Sequence, residues 1–215
     1  MEDFPLSKRL ELHALWLKSD GAQGVRLDLV TQSVRGVDMN GALLVGAKLM
    51  DADLRDASLI DANFTGSDVA GADLRGAELI GANFSAANLK DAKFRGAKLD
   101  KATLERANLA FADLRDTTLA QANLIEADLM GADLRGADLS KAILRGAQLS
   151  GADLRGAVLA GTDFRFAILL GVSMQGATFD RDTNLLDANV NPDNFRHVDL
   201  SVIKSENLPP SLGTK

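Results

Sequence analysis

The stretch Ala52-Asp53-Leu54-Arg55-Asp56-Ala57-Ser58-Leu59-Ile60-Asp61-Ala62-Asn63-Phe64 decides the fold, because its large apolar residues return every five positions. Stepping outward by fives gives Leu29, Val34, Met39, Leu44 and Leu49 on one side and continues in phase to Leu169, Met174 and Phe179 on the other. Of the 31 units, 27 carry Leu or Phe at this centre and 24 carry Ala two residues earlier, so the consensus is Ala-(Asp/Asn)-Leu-x-x. Ala-x-Leu puts Ala and Leu on one side of an extended chain, but five is odd, and a straight strand would turn its apolar set outward in every second unit. The chain must therefore turn once per unit. Glycine two residues after the centre (Gly41, Gly46, Gly71, Gly76, Gly131, Gly136, Gly151, Gly156) supplies the corner. A helix is ruled out, since a period of five matches neither 3.6 nor 3.5.

A longer period counts the corners. Arg follows the centre at Arg35, Arg55, Arg75, Arg95, Arg115, Arg135 and Arg155, once in every fourth unit, and at the other 24 such positions only at Arg145 and Arg165. Four units per coil would stack the seven on one face.

These units resemble the pentapeptide-repeat family over most of the chain, from Leu29 to Phe179. The resemblance implies an all-β solenoid, a right-handed quadrilateral β-helix with four pentapeptides per coil, the centre and its preceding Ala inward and the other three positions in solvent. About eight coils at the spacing of a sheet make a rod of roughly 37 Å. Phe64 and Phe84 then stack one coil apart, and Phe94 interrupts the column of Leu54 and Leu74.

Three parts are expected: an N-terminal helical cap over 1–24, the β-helix over 25–182, and a C-terminal cap with a flexible tail over 183–215. Leu6 to Leu17 reads as a short amphipathic helix with Leu6, Leu10, Ala14 and Leu17 along one stripe, ended by Asp20-Gly21. Leu10, His13, Trp16 and Leu17 are similar to a Leu-x-x-His-x-x-Trp-Leu prefix seen before some arrays of the family. Leu27, Gln32 and Val37 replace the inward Ala in the first units, which fits contact with a lid. At Thr183 the phase is lost, and the tail from Ser205 to Ser211 is expected to be disordered.

Composition narrows the function. A net charge of -6, from 24 basic and 30 acidic residues, gives no broad basic footprint for nucleic acid. No run of about 18 apolar residues and no basic-then-apolar start is present, so a cytoplasmic protein with no membrane contact is expected. There is no cysteine, and the two histidines, His13 and His197, stand alone, which offers neither a nucleophile with its base nor a metal set. The glycines are corners rather than a phosphate loop. Catalytic, cofactor and metal sites are all expected to be absent.

That leaves the outward columns. Asp53, Asp73, Asp113, Asp133 and Asp153 stand two residues before an arginine, so the arginine column reads as a self-neutralised ladder, with Lys93 before Arg95 as its break. A second column, at 30, 50, 70, 90, 110, 130, 150 and 170, holds one charge in eight and offers Met50, Met130 and Leu170 as a contact face. Phe166 and Ile168 join Leu170 in an apolar patch that either the C-terminal segment or a second copy covers. The expected role is a non-enzymatic scaffold for another protein, with a homodimer through the C-terminal end as one form. The family resemblance implies an alternative: some members imitate duplex DNA and bind and protect a type II topoisomerase such as gyrase.

Overall fold

An odd repeat needs a corner in every unit, and the computed structural model, which describes residues 4–212, shows how each is made. The N–H that opens one side donates to the carbonyl of the preceding centre, as from Ala52 to Leu49 (3.0 Å) and from Ala132 to Leu129 (3.0 Å). The third residue of this four-residue turn has positive φ, 56° at Asp51 and 65° at Gly131, the signature of a type II turn. Glycine and aspartate dominate the position because they enter that region at least cost.

Between corners the chain is extended and pairs in parallel with the fourth unit along, so that Asp53 faces Asp73, Asp73 faces Lys93 and Lys93 faces Asp113. Each rung is a pair of bonds such as Leu54 N–H to Asp73 C=O (2.8 Å) and Asp73 N–H to Ala52 C=O (2.9 Å). Four such ladders close into a right-handed quadrilateral β-helix. At its end the ladder widens to two residues, where β1 (Ile168–Leu169) pairs in parallel with β2 (Asn189–Val190).

The interior is one column of stacked layers in which the centres and their alanines are almost wholly buried. Phe64 and Phe84 stack at 4.4 Å and 11°, and Phe94 meets Phe84 edge-on at 6.2 Å and 89°. Where a hydroxyl replaces the inward methyl it is satisfied: Ser67 donates to Phe64 C=O (2.7 Å) and Thr117 to Leu114 C=O (2.7 Å).

The first coil has no predecessor to pair with its edge, and α1 (Leu6–Lys18) supplies partners. His13 Nδ1 accepts the N–H of Leu27 (3.1 Å), Arg9 donates to Gln32 Oε1 (2.8 Å) and to Asp28 C=O, and Leu12 C=O accepts from Val25 N–H (3.0 Å). Leu27 and Gln32 are thus the lid's docking points. The apolar stripe expected on this helix needs correcting: Arg9 and His13 are its buried residues, Leu6 and Leu10 pack at the margin, and Ala14 is exposed. The open sheet edge asks for hydrogen-bond partners, and that requirement turns the polar pair inward.

At the other end the lost phase is one inserted residue, since Asp163 pairs with Asn184. The Asp180 carboxylate absorbs it by accepting the N–H groups of Gly161 (2.7 Å), Asp182 (3.0 Å) and Thr183 (3.0 Å). A 3₁₀ turn over Pro192–Phe195, capped by the Asn191 side chain, then buries Phe195. The stretch from Ser205 to Ser211, expected to trail free, is instead packed. Asn207 C=O accepts from Leu185 N–H (2.7 Å), replacing the coil that would follow, and Leu208 and Pro209 are buried. The ends of the two expected caps, 1–3 and 213–215, lie outside the described residues.

Candidate interaction surface

Counted from the unit centred on Leu29 as the first, every fourth unit stacks into one face, so the first face runs through Leu49 to Leu169 and the second through Leu54 and Leu74, and the four faces differ in what they carry outward. On the second, Asp and Arg two residues apart lie side by side, because the centre between them points inward. Bidentate pairs result at Asp53–Arg55 (2.7 Å), Asp73–Arg75 (2.6 Å), Asp113–Arg115 (2.7 Å), Asp133–Arg135 (2.6 Å) and Asp153–Arg155 (2.6 Å). Longer contacts link successive coils, from Arg55 to Asp73 (3.7 Å), Arg115 to Asp133 (3.5 Å) and Arg135 to Asp153 (3.7 Å). The arginine bonds hold the carboxyls of Asp53, Asp73, Asp113, Asp133 and Asp153 below the usual carboxylate range, against burial, which pushes the other way.

Two coils lack the aspartate, with Ser33 and Lys93 in its place, and there the arginine crosses to a corner carboxylate of the next coil: Arg35 to Asp56 (2.8 Å) and Arg95 to Asp116 (3.3 Å). The same step, one coil on and one position further along, serves both breaks. Every arginine of the column is thereby matched with an acid.

The first face ends at the weakly charged column. Met50 (41% exposed), Met130 (46%) and Leu170 (41%) all stand out from it, whereas Ala110 is buried. Met50 and Met130 are four coils apart, roughly 19 Å, so they do not form one patch. Phe166, Ile168 and Leu170 do lie together, at the start, middle and end of the first face in one coil. Phe166 is 57% exposed and Ile168 half-buried. The C-terminal segment packs on the end of the rod, where Asn194 Nδ2 donates to Val172 C=O (3.0 Å), and leaves this row open.

Phe111, which the repeat does not single out, is 55% exposed and adopts φ of 61° at a corner. It occupies the same place in its unit as Phe166, and that shared place is the one signal of it in the sequence. His13 stacks on Trp16 (5.6 Å, 13°) inside the cap, and burial lowers its pKa. His197 lines a shallow polar cleft with Arg155, Ser173, Gln175 and Asn194. Among the described residues no group of three or more His, Asp or Glu side chains could hold a metal ion, and no helix is long and apolar enough to cross a membrane.

Comparison with known proteins agrees with the repeat. A family model described as pentapeptide repeats matches in eight copies over residues 35–69, 70–106, 107–146 and 147–185. Among solved structures, HetL of the cyanobacterium Nostoc sp. strain PCC 7120, a pentapeptide repeat protein involved in heterocyst differentiation regulation, is 30% identical over 80% of this chain and 92% of its own, with a TM-score of 0.42. A pentapeptide repeat protein of the Arabidopsis thaliana thylakoid lumen is 30% identical over 70% of this chain and 84% of its own (TM-score 0.27). A trypsin-treated form of QnrB1, a plasmid-mediated fluoroquinolone resistance protein, is 19% identical over 86% and 89% (TM-score 0.27). No curated protein matches the chain.

Proposed function

The chain belongs to the pentapeptide-repeat family, and from that premise we propose that it is a non-enzymatic scaffold that holds another protein chain against its first face. The observation that carries this reading is the row Phe166, Ile168 and Leu170. Three large apolar side chains span the width of a flat sheet face, roughly 10 Å, and two of them stay well exposed after the C-terminal segment has packed elsewhere. Water contact at such a row is unfavourable, and a protein partner removes it. Leu170 shares its corner column with Met130, two coils away, whereas Met50, four coils further, stands apart from the row.

Size-exclusion chromatography and ultracentrifugation of wild type and Leu170→Glu test the reading and identify the chain that is held. A dimer at micromolar concentration that the substitution dissociates marks a second copy, joined near the C-terminal end. A wild-type monomer that captures a host protein, with capture lost in Leu170→Glu, marks a different partner. Unchanged mass together with unchanged capture overturns the proposal. The duplex-imitating reading needs an unbroken acidic face, and the arginines matched along the second face argue against it. Micromolar protein is expected to leave quinolone inhibition of gyrase supercoiling unaltered.

A further inference from the structure

Phe111 stands where the fold favours glycine or aspartate. Its φ of 61° lies in the left-handed region, where a side chain's Cβ crowds the following carbonyl oxygen, yet its ring is more than half exposed. Core packing therefore does not account for it. The ring is nonetheless supported. A Cβ at Gly131, one coil on, would fall 2.7 Å from two of its atoms, so the ring lies along bare backbone. Lys90 Nζ, from the coil before, comes within 5.9 Å of the ring centroid, and exposed Met130 accepts the Phe111 N–H through its carbonyl (2.9 Å).

Charge provides an independent observation. Lys90, Lys93, Arg95, Lys98 and Lys101 all fall in one coil with only Asp91 and Asp100 among them, so the middle of an acidic protein carries a local excess of cations. On the second face Lys93 interrupts the ladder and, among the described residues, makes no ion pair. Its neighbours Asp73 and Asp113 are taken up by Arg75 and Arg115, and Arg95 keeps only its diagonal contact to Asp116, with both partners more than half exposed. Lys98, by contrast, is bound to Glu78 (2.7 Å) on the third face.

We infer that Phe111, Met130, Lys90, Lys93 and Arg95 form a docking surface for an extended acidic segment of another protein, one with a large apolar side chain between its carboxylates. The apolar side chain lies on the ring and Met130, and the carboxylates reach Lys93 and Arg95 across a face roughly 10 Å wide. This rests on the scaffold reading but centres on Phe111, about three coils from Leu170, and shares only Met130 with the column that carries Leu170, so each can fail alone. Nucleic acid suits the site less, because Asp91, Asp113, Asp116 and Asp128 interrupt the cations, whereas a phosphate backbone is tracked by a continuous positive groove.

The test is selection of random 12-residue peptides on the full-length protein. Fluorescence anisotropy of the enriched peptides then compares wild type, Phe111→Gly, Lys93→Asp and Leu170→Glu, with a 20-nucleotide single-stranded DNA as competitor. Enriched peptides are expected to carry Asp or Glu around an aromatic residue or Leu. Both Phe111→Gly and Lys93→Asp are expected to weaken binding at least tenfold while Leu170→Glu leaves it unchanged. Phe111→Gly relieves the corner and Lys93→Asp completes the ladder, so both variants are expected to melt at or above the wild-type temperature, which separates lost binding from lost fold. No enriched peptide, peptides without acidic residues, binding indifferent to both substitutions, or displacement by the oligonucleotide at lower concentration than by free peptide would each overturn the inference.

Discussion

Leu134 and Gly131 sit three residues apart under opposite demands. Leu134 is sealed between the layers of neighbouring coils, and Leu134→Asp would bury a charge with no partner, a cost above about 4 kcal/mol. Loss of the cooperative thermal transition is expected, and an unchanged melting curve would refute the register. Gly131 is held by its backbone and by the Phe111 ring, whereas Gly156 has the same positive φ with nothing within 4 Å of the place its Cβ would take. Gly156→Ala is therefore expected to cost roughly 1 kcal/mol, the penalty of the left-handed region alone. Gly131→Ala should cost more, because the ring must move as well; equal losses in urea unfolding would show that the ring is not seated there. The glycine corners are legible in the sequence because the repeat sets them in a column. Phe111 is not, because its exposure and support depend on which residue lies one coil away.

Among the elements, the ladder and the cap respond to acid in different ranges. The aspartates of the ladder have folded pKa values lowered chiefly by hydrogen bonds from arginine. Their stabilisation is therefore complete above the ordinary carboxylate value of about 4 and lost as pH falls below it. The melting temperature is expected to fall between pH 5 and pH 3, and a flat profile would mean the pairs contribute nothing. His13 is also lowered, by burial first, and must stay neutral to accept the Leu27 N–H. Its contribution is present above its ordinary value of about 6.5 and declines as pH drops below that. Trp16, the single tryptophan, stacks on His13 and reports the event: its fluorescence is expected to change as pH drops below about 6.5 and before the ladder is lost near pH 4. No change in that window would count against the cap contact. The pairing of Asp53 with Arg55 can be read from a two-residue spacing. The pairs Arg35–Asp56 and Arg95–Asp116 cannot, since they exist only once the coil pitch is known, and the inward turn of Arg9 and His13 follows from an unpaired sheet edge that no helical periodicity reveals.

At the scale of the whole molecule, the period of five and its fourfold multiple are enough to give the β-helix, its core and its faces, because one rule repeats in every coil. The ends and the proposed binding surface escape that rule. An inserted residue before Thr183, a tail that pairs back through Asn207, and an apolar row left uncovered at Phe166, Ile168 and Leu170 each depend on contacts made once. The rod presents a second face with its arginines matched and a first face with an apolar end. Weak heparin retention at 0.15 M salt is expected of it, since acids outnumber bases and the arginines of the second face are matched; strong retention that falls steeply with salt would point to a polyanion instead. The central claim is that the protein is held through its apolar row rather than through its charge ladder. It is tested most directly by capture from the native host with immobilised wild type, Leu170→Glu and Arg135→Gln. The expected result is a captured protein, or a second copy, lost with Leu170→Glu and kept with Arg135→Gln. Capture that survives Leu170→Glu and disappears with Arg135→Gln would contradict the account.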